Sequence, residues 1–107
     1  MTPSAGEIAT AFDHQKAMKT RLYHVEEAAL AARKALKTHE VELMMSGAII
    51  GKNAESRDAQ LAAACQQERD VLEKAEAEKR SIQLAYDLAS MTVDSLKWLI
   101  RAEEAGT

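Results

Sequence analysis

The segment SGAIIGKNAESR, residues 46–57, decides the fold, because it contains two of the chain's four glycines and the other two lie near the chain ends. A glycine such as Gly47 readily takes the left-handed backbone conformation that ends a helix. Asn53 is a favoured N-cap for a following helix, and Glu55 would place a negative charge near that helix's positive end. The sequence therefore predicts a turn of about residues 47–53 between two helices.

The sequence before this turn predicts one long helix of about residues 4–46. Ser4 and Glu7 are spaced as in a capping box, which begins a helix. No proline or glycine interrupts the chain from Glu7 to the turn, and apolar or small residues alternate three and four apart, which is the heptad pattern of a helix–helix seam. The two interleaved series of seam positions are Ala11, Met18, Val25, Ala32, His39 and Ile8, Gln15, Leu22, Ala29, Leu36, Leu43.

The sequence after the turn predicts a second helix of about residues 54–104, again with a heptad pattern and without a helix breaker. The two seams match in length, so they can face each other in antiparallel orientation. A turn near residue 50 would place Leu36 near Cys65. The predicted fold is all-α: a single domain, residues 1–107, built as a long antiparallel two-helix hairpin that resembles a coiled coil.

Composition and charge exclude several classes of protein. The 107-residue chain has a net charge of −3, which favours neither nucleic acid nor an anionic membrane as an obvious partner. Cys65 is the only cysteine, so no internal disulfide can form. The N-terminus lacks a basic region followed by an apolar core, and no stretch approaches the roughly 20 apolar residues of a membrane span. We therefore expect a cytoplasmic protein without a membrane partner.

Apolar side chains outside the seam predict self-association. Near the end of the second helix, a second apolar stripe lies beside the seam positions, and one partner helix cannot cover both. We expect a homo-oligomer, a dimer above all, in which two hairpins form a four-helix bundle. The alternative is that the first helix kinks and folds back over the stripe within one chain, for which Gly6 and the polar seam residue Gln15 leave room. The predicted interface residues are Phe12, Leu84, Leu88, Met91, Trp98 and Leu99.

The sequence contains no recognisable catalytic constellation. His14, His24 and His39 are 10 and 15 residues apart on the first helix, so one chain cannot bring them to a single metal ion. The Glu-x-x-His pairs of carboxylate di-iron bundles are absent. We expect His39 to be a packed or partly exposed seam residue, and Cys65 to be a small apolar residue without a neighbouring base. These observations predict a protein that is not an enzyme, with no catalytic residues, no cofactor and no metal.

A basic stretch of the first helix leaves nucleic-acid binding open as an alternative function. Residues 14–37 carry six Lys or Arg residues against two Glu residues. On paired hairpins such a stripe could follow a phosphate backbone, and Tyr23 lies within it. The other interpretation is a solvated face that the acidic second helix neutralises in part. The candidate nucleic-acid contacts are Lys16, Lys19, Arg21, Arg33, Lys34 and Lys37.

The segment GKNAESRDAQLAAA, residues 51–64, resembles the turn of small helical proteins found in bacteriophage and prophage gene sets. The shared pattern is Gly-Lys-Asn/Thr followed by Arg-x-Ala early in the next helix, together with a second helix that ends in a Leu- and Arg-rich stretch. The resemblance implies an accessory factor, often encoded among replication and recombination genes, and it supplies no catalytic residues. The matching residues are Gly51, Lys52, Asn53, Arg57 and Ala59 in the turn and Leu96, Leu99 and Arg101 at the helix end.

The turn residues themselves have two interpretations. In the structural one, Gly51 allows the bend, Asn53 caps the second helix, and Lys52 with Arg57 bonds the carbonyl groups that end the first helix. In the other, Lys52, Asn53 and Arg57 project from the tip of the hairpin and contact a partner.

The predicted function is that of a non-catalytic oligomeric interaction protein. We expect a phage-derived accessory factor that binds an unidentified host or phage protein in the host cytoplasm. The alternative is a nucleic-acid-associated accessory factor of phage replication or recombination, which would use the basic face of the first helix.

Overall fold

The computed structural model describes residues 2–106, which form three helices. Helix α1 is Ala5–Met45, α2 is Ala54–Ala64 and α3 is Gln66–Ala105. The described residues contain no strand, and none of their helices is both long and apolar enough to cross a membrane. After a turn, α2 and α3 pair with α1 in antiparallel orientation, so the predicted all-α hairpin is confirmed.

The beginning of α1 and its continuity follow from local hydrogen bonds. The amide of Glu7 donates to Ser4 Oγ at 3.1 Å, which satisfies one of the free N–H groups at the helix start. The helix is then continuous to Met45, and Gln15 Nε2 donates to Ser90 Oγ at 3.2 Å. The alternative in which the first helix kinks and folds back within one chain was therefore wrong.

Gly47 and Asn53 form the turn as the sequence predicts. Gly47 has a φ angle of 78°, in the left-handed region, and its amide donates to the Met44 carbonyl oxygen at 3.4 Å. Asn53 Oδ1 accepts a hydrogen bond from the Ser56 amide at 2.8 Å and thereby caps α2. Glu55 lies in the first turn of α2, where a negative charge interacts favourably with the helix dipole.

The segment that connects α1 to α2 packs against the first two turns of α2. Gln60 Oε1 accepts hydrogen bonds from the amides of Ile50 and Gly51, each at 2.9 Å. Gly51 approaches α2 so closely that a Cβ atom in its place would lie 2.7 Å from the Arg57 backbone nitrogen. The first two turns of α2 are therefore held against the connecting segment by close packing and hydrogen bonds.

This packing changes the register of the helix pair. A simple turn near residue 50 predicted Leu36 opposite Cys65, but Cys65 Sγ lies 3.6 Å from His39 Nδ1. The first turns of α2 pack against the connecting segment. Each residue of α1 therefore lies opposite a residue about three positions further along the chain than a simple bend predicts. The predicted register was wrong by about one helical turn.

The second predicted helix is interrupted at Cys65. Its φ of −107° and ψ of 21° lie outside the α-helical range. Backbone hydrogen bonds nevertheless continue past it, from the Cys65 amide to the Leu61 carbonyl and from the Arg69 amide to the Cys65 carbonyl, both at 2.9 Å. A distortion of one residue thus separates α2 from α3, and the expectation of an unbroken second helix was wrong at this point.

The chain forms two compact units, each with its own buried side chains. One unit runs from Glu26 to Glu78 and has a thin core of mostly small residues. The other combines α1 up to Val25 with α3 from Lys79 onward, and its core contains larger side chains. The buried apolar residues are Ala29, Ala32, Leu61 and Cys65 in the first unit and Pro3, Met18, Leu22, Ile82, Ala89 and Val93 in the second.

Candidate functional site

Three side chains with titratable groups converge in the unit that runs from Glu26 to Glu78. His39 lies in α1, Cys65 at the break between α2 and α3, and Glu68 in the first turn of α3. His39 Nδ1 lies 2.7 Å from Glu68 Oε1 and 3.6 Å from Cys65 Sγ. One possible ligand atom from each residue lies within 4.8 Å of the other two. We refer to these residues as the His39–Cys65–Glu68 cluster.

The helices bring the cluster together on two facing surfaces. Cys65 and Glu68 are three residues apart, and side chains at this spacing project from the same face of a helix. His39 faces them from α1. The Cys65 side chain is fully buried, whereas the His39 and Glu68 side chains are 33% and 30% exposed. The cluster is therefore closed to water at its sulfur and open to water at its imidazole and carboxylate.

The surroundings of Cys65 favour a protonated thiol. Burial raises the pKa of the Cys65 thiol above its ordinary value, and the nearby carboxylates of Glu68 and Glu40 raise it further. Arg69 acts in the opposite direction and lowers this pKa. The Arg69 Nη2 atom lies 3.9 Å from Glu40 Oε2, and its buried Nε has no hydrogen-bond partner among the described residues. Because only the thiolate is a good nucleophile, this environment does not activate Cys65.

The geometry also differs from that of a cysteine activated by a histidine base. In such a relay the nucleophile and the acidic residue contact opposite nitrogens of the imidazole ring. Here Cys65 Sγ and Glu68 Oε1 both approach Nδ1 of His39. A single ring nitrogen cannot donate a proton to Glu68 and accept one from Cys65 at the same time. His39 Nδ1 therefore cannot act as a base for Cys65 while it donates to Glu68.

Sequence reasoning did not find this cluster. Cys65 was expected to lack a neighbouring base, but His39 lies beside it. The error follows from the predicted register, which placed Leu36 at this position. A signal was nevertheless present in the sequence. Cys65 and Glu68 are three residues apart on the second predicted helix and so share a face, and His39 is the only histidine among the seam positions of the first helix.

The predicted interface residues of α3 are all exposed, from 48% for Leu99 to 68% for Trp98. At about 100° of rotation per residue, they lie roughly 150° around the helix from the buried residues Ile82, Ala89 and Val93. They therefore occupy the far side of α3, whereas the sequence analysis placed them beside the seam. We refer to Leu84, Leu88, Met91, Trp98 and Leu99 as the α3 apolar stripe.

Phe12, the remaining predicted interface residue, has a different environment. Its side chain is half-buried in its own unit. The Lys97 ammonium group lies 5.9 Å from the centre of its ring, close enough for a cation–π interaction. Phe12 is thus partly covered by its own chain and does not belong to the α3 apolar stripe.

The turn residues divide into one that is half-buried and three that are exposed. Gly51 is half-buried, while Lys52, Asn53 and Arg57 are exposed. Arg57 Nη1 donates to the Gly51 carbonyl oxygen at 3.3 Å. Arg57 therefore bonds a carbonyl group of the connecting segment. The sequence had predicted bonds to the carbonyl groups that end α1.

The six basic residues of α1 are all exposed and are divided equally between the two units. Two of them already have partners within the chain. The Lys19 ammonium group lies 5.1 Å from the centre of the Tyr86 ring, and Arg33 forms an ion pair with Glu76. Lys16, Lys19 and Arg21 belong to one unit, and Arg33, Lys34 and Lys37 belong to the other.

The described residues thus include four features with functional potential, namely the His39–Cys65–Glu68 cluster, the α3 apolar stripe, the exposed turn and the exposed basic residues of α1. Comparison of the chain with models of protein families, with curated proteins and with solved structures found no match.

Proposed function

We propose that this protein is a non-catalytic interaction protein that assembles with copies of itself through the α3 apolar stripe. The observation that carries the proposal is the exposure of five large apolar side chains on one helix face. Monomeric soluble proteins rarely leave a contiguous apolar patch of this kind uncovered, and such patches mark interaction sites. This part of α3 is apolar on two opposite faces, which is the pattern of a helix with packing partners on both sides.

The α3 apolar stripe is large enough to support reversible association. Each of its side chains is about half-exposed, so its burial would contribute about 1 kcal/mol. A two-fold symmetric dimer buries each residue twice, which gives about 10 kcal/mol for the stripe. This gain is of the same order as the cost of association, about 4–15 kcal/mol. Assembly should therefore depend on protein concentration, and we propose a dimer in which two hairpins form a four-helix bundle.

Beyond itself, the proposed partner is a host or phage protein. The exposed side chains of Lys52, Asn53 and Arg57 support a contact role for the turn. The resemblance of this turn to phage and prophage proteins supports an accessory factor of phage origin. A lone free cysteine is compatible with a reducing compartment such as the host cytoplasm.

The proposal is tested by the mass in solution of a variant that combines Leu88→Ala with Trp98→Ala. We expect the mass of the wild-type protein, measured by light scattering after size exclusion, to exceed that of a monomer and to rise with concentration. The double variant should be a monomer with unchanged helical circular dichroism, because it loses two of the five apolar side chains of the stripe, including the largest one.

The matched control combines Val41→Ala with Val71→Ala, which truncates two exposed apolar side chains outside the stripe. This control should assemble as the wild-type protein does. A wild-type protein that is monomeric at every concentration would contradict the proposal. So would a Leu88/Trp98 variant that keeps the wild-type mass.

Nucleic-acid binding is the alternative function, and one observation favours it. Arg33, Lys34 and Lys37 line a single shallow surface depression on α1. Binding through these cations should weaken steeply as salt rises, since it releases counterions from phosphate. Assembly through the α3 apolar stripe should persist at moderate salt. DNA binding that is lost in a Lys34→Ala, Lys37→Ala variant would therefore support the alternative.

A further inference from the structure

We propose that His39, Cys65 and Glu68 form a binding site for one divalent transition-metal ion, with Zn²⁺ as the expected occupant. The cluster supplies one nitrogen, one sulfur and one oxygen donor, all within 4.8 Å of one another. These are the donor types that protein zinc sites use.

The distance between sulfur and nitrogen fits a shared metal ion. Zinc lies about 2.3 Å from cysteine sulfur and about 2.0 Å from histidine nitrogen, so at a tetrahedral angle these two atoms are about 3.5 Å apart. The observed separation of Cys65 Sγ and His39 Nδ1 is 3.6 Å. Both ligands are therefore spaced for one ion.

The carboxylate of Glu68 needs only a small adjustment. Its Oε1 lies 2.7 Å from His39 Nδ1, as in a direct hydrogen bond. Ligation of one zinc ion by both groups requires about 3.3 Å, so the carboxylate would move back by roughly half an ångström. The Glu68 side chain is partly exposed and can make this movement by rotation about its own bonds.

Three protein ligands leave one coordination position open. Structural zinc sites are usually closed by four protein ligands, whereas three protein ligands leave room for water or another molecule. The exposed fractions of His39 and Glu68 place the water-accessible side of the cluster at these two ligands. The buried sulfur of Cys65 supplies the water-excluded side.

The donor set determines the class of metal. A thiolate and an imidazole suit Zn²⁺ and related transition metals, whereas Mg²⁺ and Ca²⁺ require mostly oxygen ligands. Cys65 would bind as the thiolate, and its proton would pass to water. Because His39 belongs to α1 and the other two ligands lie at the α2–α3 junction, a bound ion would cross-link the helices of this unit.

A simpler arrangement is a hydrogen bond between His39 and Glu68 beside an unrelated buried thiol. This arrangement leaves Cys65 Sγ next to a nitrogen whose proton is already used by Glu68. A metal ion satisfies all three donors at once. The two arrangements differ in whether sulfur coordinates a metal, which can be observed directly.

The test is a Co²⁺ titration of the full chain after reduction and removal of metals with a chelator. Cobalt substitutes for zinc, and cobalt bound to a thiolate gives a characteristic near-ultraviolet charge-transfer band. We expect saturation at one Co²⁺ per chain, displacement by Zn²⁺ and a higher unfolding temperature with Zn²⁺ bound. Cys65→Ser should abolish the band while keeping the helical circular dichroism.

His39→Gln and Glu68→Gln should each weaken Zn²⁺ binding by at least about tenfold, since each removes one ligand. His24→Gln is the matched control, because it removes an exposed histidine from the other unit and should leave the affinity unchanged. The absence of the thiolate band from wild-type protein would overturn the proposal. Since His39 is partly exposed and its substitution should not disturb folding, an unchanged Zn²⁺ affinity in His39→Gln would overturn it as well.

Discussion

Gly51→Ala is expected to disrupt the connection between α1 and α2 by collision with the backbone. An added Cβ atom would lie 2.7 Å from the Arg57 nitrogen and 2.8 Å from the Ser56 carbonyl carbon. These backbone atoms can move aside only if the start of α2 shifts, which would strain or break the hydrogen bonds from the Ile50 and Gly51 amides to Gln60. With about 1 kcal/mol for each hydrogen bond and about 1 kcal/mol or more for overpacking, we expect a loss of about 3 kcal/mol in the free energy of unfolding.

Gly47→Ala is the matched control for this prediction. Gly47 has a positive φ of 78°, but apart from its own atoms and its two chain neighbours, no heavy atom lies within 4 Å of a Cβ atom placed there. Its substitution should therefore cost only the left-handed backbone penalty, about 1 kcal/mol. Urea unfolding followed by circular dichroism, at one fixed protein concentration, compares the two variants. If Gly51→Ala loses no more stability than Gly47→Ala, the close packing of the connecting segment on α2 is refuted.

Two further predictions concern the cap of α2 and the buried thiol. Asn53→Ala should lower the unfolding free energy by about 1 kcal/mol because it removes the cap, whereas Lys52→Ala should change it by less than about 0.5 kcal/mol; equal losses in urea unfolding would contradict a capping role. In the metal-free protein, the raised pKa of Cys65 means that the unfolded chain releases the thiol proton at a lower pH than the folded chain. The free energy of unfolding should be unaffected by this thiol below the ordinary cysteine pKa and should decline as the pH rises from that value toward the folded-state pKa. Cys65→Ala should lack this part of the decline. If the unfolding free energies of the wild type and Cys65→Ala changed in parallel with pH, the buried thiol would not be its cause.

The elements that depend on local chemistry could be predicted from the sequence. Ser4, Gly47 and Asn53 adopt the roles expected at the helix ends, because capping and left-handed turns involve only neighbouring residues. The absence of proline and glycine from residues 7–46 likewise indicated a continuous first helix. The all-α hairpin follows from these local signals alone.

The register of the hairpin could not be predicted in the same way. Residues four apart share a helix face, so a shift of about one turn leaves apolar residues opposite apolar residues. Alanine-rich seam positions penalise such a shift only weakly, since small side chains fit many neighbours. The hydrogen bonds between Gln60 and the connecting segment favour the observed register. No pattern in the sequence predicts these bonds. The His39–Cys65–Glu68 cluster depends on this register and was missed for the same reason.

The break at Cys65 was also beyond sequence reasoning. The residues around it, Ala62, Ala63, Ala64 and Gln66, are all compatible with a helix, and alanine is the strongest helix former. Local propensity therefore predicts continuity through this point. The distortion occurs at the fully buried residue of the cluster, where tertiary packing overrides propensity.

The antiparallel pairing of α1 with α2 and α3 has a consequence for how the chain folds. Cys65 and His39 are 26 residues apart in sequence, whereas Gln15 and Ser90 are 75 residues apart. The entropic free-energy cost of closing the longer loop exceeds the cost of closing the shorter loop by about 1 kcal/mol. Contacts near the turn should therefore form first, and helix pairing should then extend from the turn toward the chain ends. Substitutions near the turn should then mainly slow folding, and substitutions near the ends should mainly accelerate unfolding, a difference that φ-value measurements would detect.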